Sequence, residues 1–208
     1  MPTLECISFN TSGWTPEEAS EDQIAWTNES GDRLEYRLNH APPVLPVLYP
    51  LEGFQRYVSE NWQDPQTAVI SADVLSVRGT FVVRSILKHQ VSDDQQVYHG
   101  RICLPFRDFS YEIRITTTPL SLPSERETEV RSEMDQHEGG MQTWQQDPYC
   151  PDRKQDYLCS ESDNEEYDSR FNDDPLASLR QEMVKIIASI QSVREVRNSV
   201  PFQGNIPE

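Results

Sequence analysis

The chain has 208 residues, of which 35 are Asp or Glu and 18 are Lys or Arg, for a net charge of −17. Its 36% hydrophobic content supports one domain with a tail rather than two full domains. No basic excess exists to neutralise phosphates, and anionic lipid surfaces repel such a chain, so neither nucleic acid nor a membrane is expected as a partner.

The N-terminus, Met-Pro-Thr-Leu-Glu-Cys, lacks the positive and apolar regions of a signal peptide. No run approaches the ~18 apolar residues of a membrane-spanning helix. A cytoplasmic location is therefore expected. Leu34, Tyr36 and Leu38 alternate with Glu35, Arg37 and Asn39, the period of a half-buried strand. Residues 41–46, Ala-Pro-Pro-Val-Leu-Pro, break the ladder and read as a linker. Pro50 opens a short helix with Leu51, Phe54, Tyr57 and Val58 on one face.

Residues 69–77 form a strand, Arg78-Gly79 a turn, and residues 80–87 the return strand. A polar turn at 92–96 leads to strands at 97–104 and 106–117. In the second of these, Phe109, Tyr111, Ile113 and Ile115 face one way and Ser110, Glu112, Arg114 and Thr116 the other. One side of the sheet is buried. The other is solvated or covered by an amphipathic element, for which the last helix is the candidate. Asp174 caps that helix and Pro175 occupies its first position. Leu176, Leu179, Met183, Ile186, Ile190 and Val193 then follow at spacings of three and four, with Ile187 widening the stripe. The stripe docks on the sheet or, in a dimer, forms a coiled-coil seam.

Charge divides the chain. Residues 1–120 carry 16 acidic and 9 basic side chains, whereas residues 121–175 carry 16 and 5 with few aliphatics. The expected fold class is α+β: a mainly antiparallel sheet with helices packed on it, α/β/α sandwich-like, plus an acidic loop insertion. Residues 1–120 and 176–197 make the single domain, 121–175 is a largely irregular acidic insertion, and 198–208 is a flexible tail. Within the insertion, 125–136 reads as an exposed helix ended by Gly139-Gly140, with Trp144 or Tyr149 as an anchor. The run at 160–168 buries too little apolar area to offset its ordering entropy and reads as a solvated stretch.

Chemistry-bearing motifs are sparse. Cys6 and Cys103 sit in apolar runs as buried thiols. Cys150 and Cys159 lie in a polar stretch; a disulfide between them suits an exported protein and not a reducing cytosol. His137, Cys150 and Cys159 lack the paired spacing of a zinc site. Asp163, Glu165, Glu166 and Asp168 lack the central Gly and terminal Glu of a calcium loop. Ser110 has no flanking glycines of a nucleophile elbow, and His40, His89, His99 and His137 fall in no catalytic motif. No catalytic, metal or cofactor site is expected. The most distinctive stretch is 98–111, which sets Arg101, Arg107 and Asp108 among four aromatics around a strand turn. It reads as a hairpin corner or, functionally, as a recognition corner in which Arg101, Arg107 and Asp108 meet a partner.

Gly13-Trp14, then residues 24–26, a strand, a helix ending near Trp62, a run of antiparallel strands, the 100–117 segment and a closing helix form an ordered set. This order resembles the α/β/α sandwich of the PsbP-like and DcrB-like superfamily, over residues 1–120 and 176–197. The resemblance implies a non-enzymatic accessory or binding protein and transfers no catalytic residue. The chain departs from exported members in lacking a leader, and from the pattern in its acidic insertion. The expected function is thus a cytoplasmic interaction protein with a protein partner, a basic one, acting as a monomer or as a dimer through the last helix. The alternatives are a metal- or carboxylate-dependent enzyme, and a small-ligand carrier or inhibitor of a basic protein.

Overall fold

The computed structural model describes residues 2–62, 65–136, 145–152 and 159–204. Its strands are β1 (Ile7–Ser8), β2 (Thr15–Ala19), β3 (Gln23–Thr27), β4 (Arg33–Asn39), β5 (Thr67–Val77), β6 (Thr80–Ser92), β7 (Gln95–Pro105), β8 (Ser110–Thr116), β9 (Leu120–Ser121) and β10 (Gln191–Ser192). The helices are α1 (Leu51–Asn61), α2 (Glu125–Asp135), α3 (Pro175–Ser189) and α4 (Arg194–Arg197). Among the described residues, eight strands form one antiparallel sheet in the order β2-β3-β4-β8-β7-β6-β5, with β9 attached to β7. The fold is α+β, with a mostly antiparallel sheet and helices packed on it. At the β5–β6 turn, Arg78 and Gly79 both take positive φ, 50° and 83°, the geometry that a two-residue hairpin requires.

The alternation along β4, β7 and β8 decides which helix lies where. Leu34, Tyr36, Leu38, Ile102, Leu104, Tyr111, Ile113 and Ile115 are all buried on one face. α3 covers that apolar face with Leu176, Leu179, Met183, Ile186 and Ile187. Each such side chain removed from water contributes about 1.5–3 kcal/mol before entropy is charged. The last helix therefore covers the apolar face and not the Ser110–Glu112–Arg114–Thr116 face. Its stripe is buried against the sheet. Close approach needs Gly100: a Cβ there would sit 2.6 Å from Met183 Sδ and 2.8 Å from Leu179 Cδ1. α3 also stops earlier than its spacing suggests. Ile190 leaves the helix, and Gln191–Ser192 pair with Ile7–Ser8.

The opposite face is covered over β5 and β6 by α1, through Phe54 and Val58. Leu45, Leu48 and Phe202 complete this second cluster. Residues 198–204, expected to belong to a flexible tail, hold Phe202 at 6% exposure, and Phe106 bridges Pro201. The helix ending at Gly139-Gly140 and the Trp144 anchor fall outside the described residues at those positions, whereas Tyr149 donates to the Ala72 carbonyl at 3.3 Å and accepts from the Ala72 amide at 2.6 Å.

The acidic run at 160–168 is not uniformly solvated. Residues 161–163 and 165–167 form two short 3-10 turns, and Ser162 and Asp163 are buried. Lys88 Nζ from β6 lies 2.6 Å from Asp163 Oδ2, both side chains about 95% sequestered at 5% and 6% exposure. Asp163 also accepts from the Ser160 amide at 2.8 Å. Arg126 of α2 is buried and donates to the Asn164 carbonyl and to Asp168, each at 2.8 Å, while Arg180 of α3 reaches Asp168 at 2.7 Å. Three cations from three elements therefore order a segment whose own composition would not.

Candidate functional site

Beyond α1, the second face of the sheet carries polar side chains: Arg33, Glu35, Arg37 and Asn39 of β4, Glu112, Arg114 and Thr116 of β8, and His99 and Arg101 of β7. At the border between this polar half and α1 lies a cavity of about 390 Å³. The linker predicted at 41–46 forms one wall. Proline supplies no amide for a ladder, so this strap crosses the sheet held by side chains: Leu45 and Leu48 are buried while Val44 and Val47 are each 61% exposed. Trp62, capping α1, forms a second wall, and β6, β7 and β8 give the floor with Ser85, Arg101, Cys103, Ser110 and Glu112.

Charge at the floor centres on Glu112. Arg101 approaches its Oε1 at 2.9 and 3.0 Å, and Arg114 at 3.1 Å. Burial raises the Glu112 pKa, but the two guanidiniums outweigh it and hold the carboxyl below its usual range. The Arg101 guanidinium also lies 5.0 Å from the centre of the Trp62 ring, a cation–π contact that fixes both.

Burial shifts two titratable groups on β7, Cys103 and His99. Cys103 is half-buried rather than fully buried, as is Cys6. Desolvation still pushes the Cys103 thiol up to about 12, with Glu112 adding to it and Arg101 opposing. His99 donates to or accepts from Thr116 Oγ1 at 3.1 Å. Burial first, then the charges of Arg114, His89 and Arg101, pull its pKa down to about 4. A folded His99 therefore refuses the proton that an unfolded one takes up below about 6.5. Stability is expected to fall as pH drops through the window from 6.5 to 4. Urea midpoints at pH 7 and pH 5 check this. A His99→Gln variant should show a smaller loss between the two; an unchanged loss would remove His99 as its source.

Of Arg101, Arg107 and Asp108, the residues expected to meet a partner, Arg101 lines the cavity. Arg107 and Asp108 lie in the β7–β8 turn, exposed, and pair with each other at 2.8 Å. Cys159 is buried and donates to the Val69 carbonyl at 2.8 Å, and both Cys159 and Cys150 are free thiols. His137 lies outside the described residues. Among the described residues no group of three or more His, Cys, Asp or Glu side chains is placed to hold a metal. From sequence the 41–46 run reads as a linker and Trp62 as the end of a helix, neither as part of a site, and Ser85 is not singled out. The signal available for them was the Pro-Pro-Val-Leu-Pro run followed by an apolar helix.

No family model matches the chain, and no curated protein matches it. Among solved structures it is similar to the Ran-binding protein Mog1p of Saccharomyces cerevisiae, with 12% identity over 92% of this chain and 93% of that one, at a TM-score of 0.49. It is also similar to cyanobacterial PsbP from Synechocystis, with 15% identity over 63% of this chain and 82% of that one, at a TM-score of 0.36.

Proposed function

We propose that this protein is a non-enzymatic binding protein that docks a protein partner on the strap side of the sheet. One observation carries the reading. Of the seven exposed large hydrophobic residues among those described, three, Val44, Val47 and Tyr49, fall within six positions. Buried Leu45 and Leu48 hold them outward. Scattered surface valines need no explanation, but a fixed apolar ridge does. The chemistry beside it favours binding over turnover, because Cys103 stays a thiol and His99 stays neutral at pH 7.

The partner is a basic protein with an apolar contact patch. A chain of net charge −17 attracts it at long range, and the ridge supplies contact at short range. No helix among the described residues is long and apolar enough to cross a membrane. The free thiols fit a reducing, cytoplasmic setting. Arg107 and Asp108, exposed at the neighbouring turn, belong to the outer rim of the contact.

Affinity capture from cell extract tests this with three baits: wild type, Val44→Glu/Val47→Glu, and Val184→Glu on the far layer. Wild type and Val184→Glu are expected to retain the same basic protein, with recovery falling as salt rises, and the ridge variant is expected to lose it. Equal recovery by all three baits overturns the ridge. Salt-independent recovery overturns the steering.

A further inference from the structure

Below the strap, the cavity floor contains one group that the described residues do not satisfy. Ser85 is 1% exposed, and its Oγ has no hydrogen-bond partner among the described residues. Buried hydroxyls are nearly always paired, so an orphan facing a cavity marks where a bound group supplies the partner. Register places Ser85 directly opposite Arg101 across β6 and β7, with both residues lining the cavity. Neighbouring cross-strand side chains on one face lie close enough to hold one ligand group together.

Arg101 still has donors to give. Its contacts with Glu112 use Nε and Nη2, and Nη1 has no partner among the described residues. A guanidinium offers five N–H groups in a fixed fork, which suits a second carboxylate. The local sign of charge agrees. Glu112 is opposed across the strands by Arg37, and Arg101 and Arg114 both bind it. Arg33 engages Glu35 at 3.0 Å, and Glu17 and Glu18 of β2 at 3.2 and 3.6 Å. At the cavity itself Arg101 is the lining cation and Glu112 the lining carboxylate, and Arg114 adds a second positive charge to that carboxylate.

Pro42, Pro43, Leu45 and Val83 give the apolar part of the remaining lining, and Asn39 and Ser110 add polar groups at its edge. The volume, about 390 Å³, stands at the low end of the range of about 300–1,000 Å³ that holds small ligands. It has room for one ring on a short chain.

We propose that this cavity binds a small monocarboxylate with a flat apolar body, an aryl-alkanoic acid. The Arg101 guanidinium and the Ser85 hydroxyl take the carboxylate, and Pro42, Pro43, Leu45 and Val83 enclose the ring. The cavity shares Val44 and Leu45 with the ridge segment, but its carboxylate end, at Arg101 and Ser85, lies on the sheet beneath the strap and does not depend on a protein partner docking outside it.

Titration calorimetry on the full chain with 3-phenylpropionate, and with 3-phenylpropionamide as its neutral counterpart, tests this. The acid is expected to bind about tenfold tighter than the amide, the share that a charge-assisted contact supplies. Arg101→Gln is expected to erase that preference. Ser85→Ala is expected to weaken the acid about fivefold. Without ligand the same change raises the melting temperature by about 2–4 °C, because an unpaired buried hydroxyl is gone. Equal affinity for acid and amide overturns the proposal. So does no binding of either at millimolar concentration, or an acid preference that survives Arg101→Gln. If Arg101→Gln does not fold, Ser85→Ala decides alone: unchanged acid affinity in that variant overturns the site.

Discussion

Lys88→Met is expected to cost about 3–5 kcal/mol of stability, because it leaves the Asp163 carboxylate buried without its cation. The pair sits at 2.6 Å with both side chains almost fully sequestered. Asp163 keeps the Ser160 amide and hydroxyl, at 2.8 and 3.2 Å, and these do not replace a full charge. The paired variant Lys88→Met/Asp163→Leu is expected to recover most of the loss, since apolar groups of similar size often replace a buried ion pair at little cost. Urea unfolding of both singles and the double measures the coupling. A double variant as damaged as the sum of its singles would show that no such pair operates. Hydrogen exchange across 159–168 should rise in Lys88→Met and in Arg126→Met, whose guanidinium ties the same segment through Ser162, Asn164 and Asp168.

Phe54→Ala is expected to cost a similar amount, about 3–5 kcal/mol, by opening a cavity under α1. Phe54 is fully buried in the cluster that contains Leu45, Leu48 and Phe202. The same side chain thus supports the helix, the strap and the C-terminal segment. Phe54→Leu, which keeps most of the volume, should cost less than about 1.5 kcal/mol. Thermal unfolding separates the two, at about 2–4 °C for each kcal/mol in a chain of this size. An Ala variant no worse than the Leu variant would mean that the strap collapses freely onto the sheet. The ridge at Val44 and Val47 would then have no fixed support.

These two cases show where sequence was informative. Tyr111, Ile113 and Ile115 announce their strand because burial on one face enforces a period of two, and α3 announces its start through Asp174 and Pro175. The edge strand β2 does not announce itself. Its residues, Thr-Pro-Glu-Glu-Ala, are all exposed, so no alternation is imposed on them. An acidic run looks alike whether it is solvated or buried. Only the fold brings Lys88 to Asp163 from 75 positions away. Likewise a linker has no repeat from which to read that Leu45 points in and Val44 out. Ser85 is an ordinary strand serine until Arg101 stands opposite it. Arg101, Arg107 and Asp108 look equivalent in the sequence; the fold puts Arg101 on the cavity floor and pairs Arg107 with Asp108 at the exposed turn.

The placement of α3 has a consequence for how the chain is made. During synthesis the strands through β8 emerge first, and their apolar face stays bare until residues 175–189 follow. Between the two, the ribosome delivers residues 121–175, with 16 acidic side chains against 5 basic. A nascent sheet with an uncovered face is prone to associate with its neighbours. The next segment to leave the tunnel attaches a strongly negative leash to each copy, which keeps growing chains apart until the covering helix arrives.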